Sequence, residues 1–454
     1  MTWKTAKQLL TTHYPLIGVI IASFLVATSM ATYTNWDSTL EYEAATNTTG
    51  SGFPTIWTGH LINQPPLGFY TSAAYFLMFG TSYSNGVTLT TVFGVAAVAL
   101  VYVLGVVLYG RRTGLVASVL FGLIPWHVYM SRIFLIDNQS MVWSLLALVI
   151  GVLAVRRNSD KLFGVAGGVF ALALLTKLYS VFIIPPLLLI QREEAKKGNY
   201  VSSKRKLLLC ALPIIITQVI WYVFLAPHQN FLGVYFSTDF ISTPVTNPEI
   251  LFLPIVLSKV AGYFLFGAVA LSVAFAYVYR AKLGAYLRTD LICLATIAVV
   301  AALSLLLVLG LHLTVPYVSV FKYTYMALPF FCLLAASITD KGKTLLSGVS
   351  WRQRLQKTKK VWIAAGFLLI GASLVESVAF LNTWVIYASF GVDSVTYYPL
   401  NLYADTAYPG FVSPMHYAGL FLAVASIALL FFLDSRKTAI DTASSKLSDQ
   451  NIPV

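Results

Sequence analysis

The sequence predicts an all-α, polytopic membrane protein, and three observations support this fold class. First, 58% of its 454 residues are hydrophobic and only 10% are charged, whereas a soluble domain carries about 25% charged residues. Second, apolar stretches of about 20 residues recur, which is the length that a helix needs to cross a bilayer. Third, the basic residues are concentrated in short segments between these stretches, as in the cytoplasmic loops of membrane proteins.

The apolar stretches define about twelve transmembrane helices, and the positive-inside rule places both chain ends in the cytoplasm. The candidate spans cover residues 14–33, 86–108, 114–130, 139–155, 162–176, 179–190, 207–226, 251–279, 289–311, 318–338, 361–382 and 415–433. They form one transmembrane domain over residues 1–435, followed by a short polar cytoplasmic tail over residues 436–454. We therefore expect a multi-pass protein of the cell membrane, in permanent contact with membrane lipids.

Two segments do not fit a simple span. The segment from Leu67 to Gly80 is apolar but short, and a crossing there would place Arg111 and Arg112 outside. It is therefore expected to lie flat on the membrane or to re-enter it, within the first outer loop. The stretch 162–190 is long enough for one helix, but basic segments precede and follow it. Two short helices with Lys177 at their outer tip satisfy both basic segments.

Lys and Arg are distributed asymmetrically along the chain. The predicted outer loops 34–85, 227–250 and 383–414 contain neither. The basic residues that remain at or near the outer half of the membrane are Arg132, Lys177, Lys259 and Lys322. A charge inside or beside a span indicates a functional site, although any one of these side chains could instead snorkel to lipid headgroups. Snorkelling explains the whole set less well, because the outer loops otherwise exclude positive charge.

Composition also limits the classes of partner and cofactor. The formal net charge of +13 is explained by the cytoplasmic loops, so nucleic-acid binding is not expected. The three cysteines lie far apart in apolar segments without metal-binding spacing, and we interpret them as packing residues. No cluster in the sequence requires a cofactor, and a divalent metal ion remains an open option.

An acidic segment follows the first span directly: Asn35-Trp36-Asp37-Ser38-Thr39-Leu40-Glu41-Tyr42-Glu43. Asp37 is thus expected at the outer membrane surface. Its carboxylate suits a general base, or a ligand for a divalent ion bound to phosphate. The spacing Asp-x-x-x-Glu fits equally well an N-cap of the following helix.

Further short motifs lie at the predicted outer ends of spans. Arg132 and Asp137 flank an apolar turn, where they could pair with each other or could bind a phosphate and a hydroxyl separately. The remaining motifs are Gln64-Pro65-Pro66-Leu67, which favours a surface helix, Leu175-Thr176-Lys177 at the helix break, and Lys322-Tyr323 at the start of a span.

In order and spacing, these motifs resemble the dolichyl-phosphate-mannose protein mannosyltransferase superfamily, whose prokaryotic branch includes the aminoarabinose lipid A transferases. Those proteins have an acidic residue after the first span, a Pro-Pro-Leu surface helix, an Arg…Asp pair before the fourth span, a Leu-Thr-Lys turn, and a basic residue with Tyr opening a late span. The resemblance covers the first two thirds of the chain. This sequence departs from the pattern in three places: Ser38 replaces a Glu, Gln64 replaces a His or Lys, and Lys322 replaces an Arg.

The resemblance implies a GT-C fold, an all-helical membrane domain with its active site at the outer surface. It also implies an inverting glycosyltransferase that moves a sugar from a polyprenyl (dolichyl or undecaprenyl) monophosphate to a hydroxyl of a protein, lipid or glycan. Asp37 would be the general base, and Asp137 a second acidic group. The donor phosphate would meet Arg132, Lys177 and Lys322, with Lys259 as a further member. The supporting or acceptor-side residues would be Glu41, Tyr42, Gln64 and Tyr323.

Two other classes of function remain open on the sequence. A secondary transporter of a small polar or anionic solute would share the number of spans and the intramembrane charges. Transporters tend to show internal repeats and midplane sites, whereas this chain shows no repeat and its charges gather at the outer surface. A scaffold or assembly subunit is the third interpretation.

Overall fold

Helices dominate the architecture of the chain. A computed structural model describes residues 3–30, 32–34, 36–57, 59–62, 64–224, 261–310, 324–346, 357–389, 396–397, 400–401, 406–408 and 414–450. Nearly all of these residues are helical, and the strands among them are two or three residues long. The predicted all-helical fold class is confirmed.

The helices of the first half carry most of the predicted site. They are α1 (Trp3–Ser29), α2 (Trp36–Ser51), α3 (Leu67–Phe79), α4 (Tyr83–Leu108), α5 (Arg111–Leu123), α6 (Pro125–Ser131), α7 (Asp137–Arg156), α8 (Asp160–Thr176), a 3-10 helix (Leu178–Ile183), α9 (Ile184–Lys196) and α10 (Lys204–Phe224).

The second half continues with longer helices. They are α11 (Tyr263–Val278), α12 (Arg280–Gly310), a 3-10 helix (Tyr325–Ala327), α13 (Leu328–Ala336), α14 (Ile338–Leu346), α15 (Lys357–Ser389) and α16 (Pro414–Gln450). The described strands are β1 (Thr32–Thr34), β2 (Thr396–Tyr397), β3 (Leu400–Asn401) and β4 (Thr406–Tyr408). Helix α16 continues through most of the predicted tail.

Several helices are long and apolar enough to cross a membrane. Within the described ranges, six satisfy both criteria: Tyr83–Leu108, Asp137–Arg156, Lys204–Val223, Arg280–Ser304, Lys360–Ala379 and Met415–Asp434. The bent pair α5 and α6 would make a seventh, and shorter apolar helices cover Tyr14–Ser29, Leu67–Phe79 and Tyr263–Val278. The chain is therefore a multi-pass membrane protein, and the number of about twelve spans remains a prediction.

The predicted span over residues 114–130 consists of two helices with a bend between them. Helices α5 and α6 meet at an angle of 65°. Pro125 begins α6, and Ile124 before it has extended backbone, with φ −61° and ψ 125°. A residue before proline is disfavoured in the helical region because the proline ring clashes with it. Helix α6 ends at Ser131 and is followed directly by Arg132.

The first helix also ends earlier than predicted. Helix α1 stops at Ser29 instead of residue 33, and Thr32 to Thr34 form strand β1. This strand pairs antiparallel with β4, with Thr32 opposite Tyr408. The pairing joins two loops, 34–85 and 383–414, that the charge distribution places on the same side of the membrane.

Polar contacts join the predicted cytoplasmic ends of the helices in the same way. Arg112 pairs with Asp434 at 2.6 Å, and Lys341 pairs with Asp290 at 2.6 Å with both side chains fully buried. The Tyr109 hydroxyl donates a hydrogen bond to Asp290 Oδ1 at 3.0 Å. Segments predicted to lie inside thus contact one another, as segments predicted to lie outside do.

The first outer loop has a small hydrophobic core of its own. Its buried members are Ala44, Ala45, Ile62, Phe69, Phe76, Val87, Phe134 and Ile136. They come from α2, from the segment between α2 and α3 (Ile62), from α3, from the start of α4 and from the turn over residues 131–138. This core holds α2 and α3 against that turn and so positions the acidic residues of α2.

Candidate active site

Two buried carboxylates share one buried ammonium group. Lys177 Nζ lies 2.8 Å from Glu41 Oε1 and 3.4 Å from Asp137 Oδ2. The Lys177 side chain is 7% exposed, and both carboxylates are buried. Helix α8 ends just before Lys177, whose backbone is extended at φ −151° and ψ 132°. The predicted helix break at this residue is confirmed, and it directs the amine to carboxylates from α2 and α7.

The second oxygen of each carboxylate also has a donor. The backbone N–H of Ile136 donates to Glu41 Oε2 at 2.8 Å, and the Tyr179 hydroxyl donates to Asp137 Oδ1 at 2.6 Å. Burying an ion costs several kcal/mol unless it is paired and hydrogen-bonded, and these groups are both. Ionisable residues within the apolar part of a membrane protein mark a functional site by default.

Glycines on α4 let this helix approach the turn over residues 131–138. A Cβ at Gly94 would lie 2.2 Å from Ser131 Oγ, and a Cβ at Gly86 would lie 2.5 Å from the ring of Phe134. The two glycines are eight positions apart and therefore lie on one face of the helix. This face packs against the turn and fixes the entry to α7, where Asp137 begins the helix.

Arg132 and Asp137 do not pair in the way that one sequence interpretation proposed. Arg132 Nε donates to the carbonyl of Met30 at 3.2 Å, and its NH2 group donates to Thr32 Oγ1 at 2.8 Å. Asp137 instead contacts Lys177 and Tyr179. This arrangement favours the other interpretation, in which Arg132 and Asp137 have separate roles.

Asp37 lies inside helix α2 and not at its N-cap. The helix begins at Trp36, so Asp37 is in its first turn, and the residue is half-buried. A carboxylate there lies near the positive end of the helix dipole. The N-cap interpretation in its simple form is therefore wrong, while the role of Asp37 as a base remains a prediction.

Ser38 stands where the family that this chain resembles often has Glu. In this structure it occupies a closely packed position. Its side chain is buried and accepts a hydrogen bond from the Tyr83 hydroxyl at 3.1 Å. That hydroxyl also accepts from the backbone N–H of Phe134 at 3.2 Å. The nearby Tyr42 ring packs edge-on against Phe76, Tyr83 and Phe134, with centroids 5.4 to 5.8 Å apart. Tyr42 therefore stabilises the small hydrophobic core of the first outer loop.

The other predicted residues are less closely tied to this cluster. Gln64 is half-buried, and its backbone N–H donates to the carbonyl of Ile62 at 2.9 Å, shortly before α3 begins. The helix predicted after Pro65-Pro66 is confirmed, since α3 starts at Leu67. Lys259, Lys322 and Tyr323 lie outside the described residues, so their convergence with Arg132 and Lys177 stays a prediction.

The described part of the chain contains no group of three or more His, Cys, Asp or Glu side chains that could hold a metal ion. Glu41 and Asp137 share the Lys177 ammonium group as a partner. A divalent ion bound together with the donor phosphate stays a hypothesis from the sequence.

Sequence reasoning missed several polar residues of the site. Tyr179 follows the helix break by two residues, and Asn138 follows Asp137 directly. The hydroxyl of Tyr325 donates to Asn138 Oδ1 at 2.6 Å and lies 2.7 Å from His127 Nδ1. Proximity to Asp137 could have indicated Asn138, but nothing local in the sequence links His127 to Tyr325.

The fold is that of GT-C membrane glycosyltransferases. The chain is similar to ArnT from Cupriavidus metallidurans bound to undecaprenyl phosphate, with a TM-score of 0.54, 14% identity, and coverage of 91% of this chain and 76% of ArnT. For the apo state of ArnT the TM-score is 0.55, with 14% identity and coverage of 94% and 77%. The apo oligosaccharyltransferase of Archaeoglobus fulgidus gives 0.50, with 13% identity and coverage of 92% of this chain and 64% of that one.

A family model also matches part of the sequence. The profile of the family described as dolichyl-phosphate-mannose-protein mannosyltransferase matches residues 63–221. This segment includes the surface helix, the turn with Arg132 and Asp137, and the break at Lys177. No curated protein matches the chain. The resemblance inferred from the motifs is confirmed by the profile and by the fold.

Proposed function

We propose that this protein is a membrane glycosyltransferase that moves a sugar from a polyprenyl monophosphate to an acceptor hydroxyl at the outer membrane face. The observation that carries the proposal is the assembly of Glu41, Asp137 and Lys177 from three separate segments within a GT-C fold. The proposal covers dolichyl and undecaprenyl donors, and acceptor hydroxyls of proteins, lipids and glycans.

The basic residues suit a donor whose leaving group is a phosphate. As the bond between the anomeric carbon and the phosphate oxygen breaks, the phosphate keeps the electron pair and gains negative charge. Arg132, together with Lys177, would stabilise that charge, and Lys259 and Lys322 would complete the set. The ArnT structure that shares the fold contains undecaprenyl phosphate, which supports a lipid phosphate as the ligand.

The acceptor hydroxyl loses a proton when its oxygen bonds to the anomeric carbon. Glu41 accepts a hydrogen bond at each of its two oxygens. Asp137 accepts one from Tyr179 at Oδ1, and its Oδ2 lies 3.4 Å from Lys177 Nζ. These carboxylates are therefore better suited to orient Lys177 and the substrates than to accept a proton. Asp37, in the first turn of α2, is the proposed general base.

A direct displacement has one further consequence. The acceptor approaches the anomeric carbon from the face opposite the departing phosphate, so the proposed transfer inverts the anomeric centre. The charge that develops on the sugar ring resembles an oxocarbenium ion, as in other glycosyl transfers. Asp137, held by Lys177 and Tyr179, would orient the sugar or the acceptor beside that centre.

The experiment that tests this function is release of polyprenyl monophosphate by the purified protein. A panel of undecaprenyl- and dolichyl-phosphate sugars is supplied in liposomes together with a membrane extract as the source of acceptor. Mass spectrometry of the glycolipids and glycoproteins of a deletion strain then identifies the missing product. Transfer requires loss of the donor sugar and appearance of free lipid phosphate. Solute uptake without consumption of any donor would support the secondary transporter instead.

A further inference from the structure

A chain of three polar side chains runs through the buried interior beside the site. His127 Nδ1 lies 2.7 Å from the Tyr325 hydroxyl oxygen, and this hydroxyl lies 2.6 Å from Asn138 Oδ1. All three side chains are buried. They belong to α6, to the second 3-10 helix and to α7, so the chain joins segments that are almost 200 residues apart.

The direction of the hydrogen bond between Tyr325 and Asn138 follows from the amide of Asn138. Its Nδ2 donates to the carbonyls of Thr90 at 3.2 Å and Met130 at 3.1 Å, so its Oδ1 is the atom that accepts from Tyr325. The single hydroxyl hydrogen of Tyr325 is thereby used. His127 Nδ1 lies within hydrogen-bond distance of the same oxygen, and the ring also has a backbone hydrogen bond at Gly94.

The amide of Asn138 closes the turn that carries two candidate site residues. It joins the end of α6 to the start of α7, and it also donates to Ser131 Oγ at 3.2 Å. Arg132 follows Ser131 directly, and Asp137 precedes Asn138. Tyr325 therefore fixes the amide that sets the distance between Arg132 and Asp137.

We propose that Tyr325 is a positioning residue of the transfer reaction, which holds the turn over residues 131–138 in the geometry that binds the donor phosphate. The inference rests on the proposed function. Tyr325 is fully buried and acts through Asn138. In an apolar interior, loss of its oxygen leaves His127 Nδ1 and Asn138 Oδ1 without a partner, and a buried unpaired group is costly.

The test compares Tyr325→Phe with the matched variant Tyr109→Phe in the full-length protein. Tyr109 also uses its hydroxyl within the protein, donating to Asp290, but at the opposite ends of the helices. Both variants remove one oxygen and keep the ring. The probe is undecaprenyl monophosphate in detergent micelles, whose binding is followed by the rise in the midpoint of thermal unfolding with ligand concentration.

We expect Tyr325→Phe to weaken binding of the probe by roughly three- to tenfold, in line with the loss of interhelical hydrogen bonds in membranes, and Tyr109→Phe to leave it unchanged. His127→Phe breaks the same chain at its other end and should have the same direction of effect. If Tyr325→Phe does not accumulate, His127→Phe provides the same comparison. Hydrogen exchange should accelerate selectively in peptides that cover residues 131–138.

A double-mutant cycle separates positioning from general stability. If Tyr325 acts through the turn, then Tyr325→Phe should add little to the loss of probe binding in Arg132→Ala. Additive losses, or exchange that accelerates uniformly along the chain, would overturn the inference. If the wild type binds the probe and Tyr325→Phe binds it equally well, the inference about Tyr325 is overturned, while the proposed function is not. Absence of probe binding by the wild type would overturn the proposed function and this inference with it.

Discussion

Lys177 and Glu41 lie 136 positions apart in the chain and form an ion pair of 2.8 Å in the buried part of the molecule. Asp137 lies on the other side of the same ammonium group at 3.4 Å. The ammonium group thus connects α2 and α7 to the break that follows α8. We therefore expect Lys177 to contribute to folding as well as to the proposed binding of the donor.

Replacement of Lys177 should destabilise the protein strongly. Lys177→Met keeps the length of the side chain but leaves two buried carboxylates without their cation. Removal of one partner of a buried ion pair typically costs about 3–5 kcal/mol. We expect a large drop in the midpoint of thermal unfolding in detergent, partly reversed when Glu41→Gln is added.

The control for this variant is an exposed ion pair on α9. Lys196 pairs with Glu193 at 2.7 Å, but its side chain is 58% exposed. Exposed pairs contribute little to stability, so Lys196→Met should leave the unfolding midpoint almost unchanged. An equal response of the two Lys→Met variants would show that Lys177 is not a buried structural cation.

Asp37→Asn should separate donor binding from transfer. The substitution keeps the size of the side chain and removes its capacity to accept a proton. General base catalysis typically contributes about 10²–10⁴-fold, so we expect the transfer rate to fall at least about a hundredfold while the lipid donor still binds. The rate is measured as release of polyprenyl monophosphate from the donor panel.

Glu43→Gln on the same helix is the matched substitution. Glu43 is half-buried and lies less than two turns from Asp37, and it has no assigned role in the site. We expect it to keep both donor binding and transfer. Near-normal turnover in Asp37→Asn would exclude Asp37 as the base.

Gly94→Ala should disturb the turn over residues 131–138 through a steric clash. The new Cβ would meet Ser131 Oγ at 2.2 Å and Asn138 Nδ2 at 3.1 Å. Overpacking of this kind typically costs about 1–3 kcal/mol, and we expect lower stability together with weaker donor binding. Gly168→Ala on α8 is the control, because nothing lies within 4 Å of its Cβ. That control should be neutral or slightly stabilising, since Ala favours a helix over Gly; equal losses in both variants would refute the steric argument.

Local sequence signals predicted local features of the fold well. The helix break at Lys177 and the start of α3 after Pro66 follow from charge distribution and from proline stereochemistry, both of which act over a few residues. The bend at Pro125 was also readable in principle, since the residue before proline avoids helical backbone. The span was predicted only by its limits, residues 114–130, without a statement about a bend.

Contacts between distant segments could not be predicted in the same way. No periodicity or spacing relates Tyr325 to Asn138, which lie 187 positions apart. The pairing of β1 with β4 likewise involves strands too short to give an alternating pattern. Glu41 was expected as a supporting or acceptor-side residue, and its ion pair with Lys177 depends on how α2 packs against the turn before α7. Such contacts are determined by tertiary packing.

The topology is the prediction on which the outer location of the site depends. Basic residues place Asn47 and Thr406 outside, and Lys197 and Ser444 inside. The antiparallel pairing of β1 with β4 requires Thr34 and Thr406 to lie on the same side. The ion pair of Arg112 with Asp434 likewise requires these two residues to lie on the same side of the membrane, which is predicted to be the cytoplasmic side.

Single cysteines test this arrangement in intact cells. The background lacks the native residues Cys210, Cys293 and Cys332, of which the last two are buried. A membrane-impermeant maleimide should label cysteines at positions 47, 230 and 406, because these positions lie in loops without Lys or Arg. Cysteines at positions 197, 354 and 444 should be labelled only after the membrane is permeabilised, which also controls for accessibility. Labelling of position 197 from outside would invert the topology and would move Glu41, Asp137 and Lys177 to the cytoplasmic side.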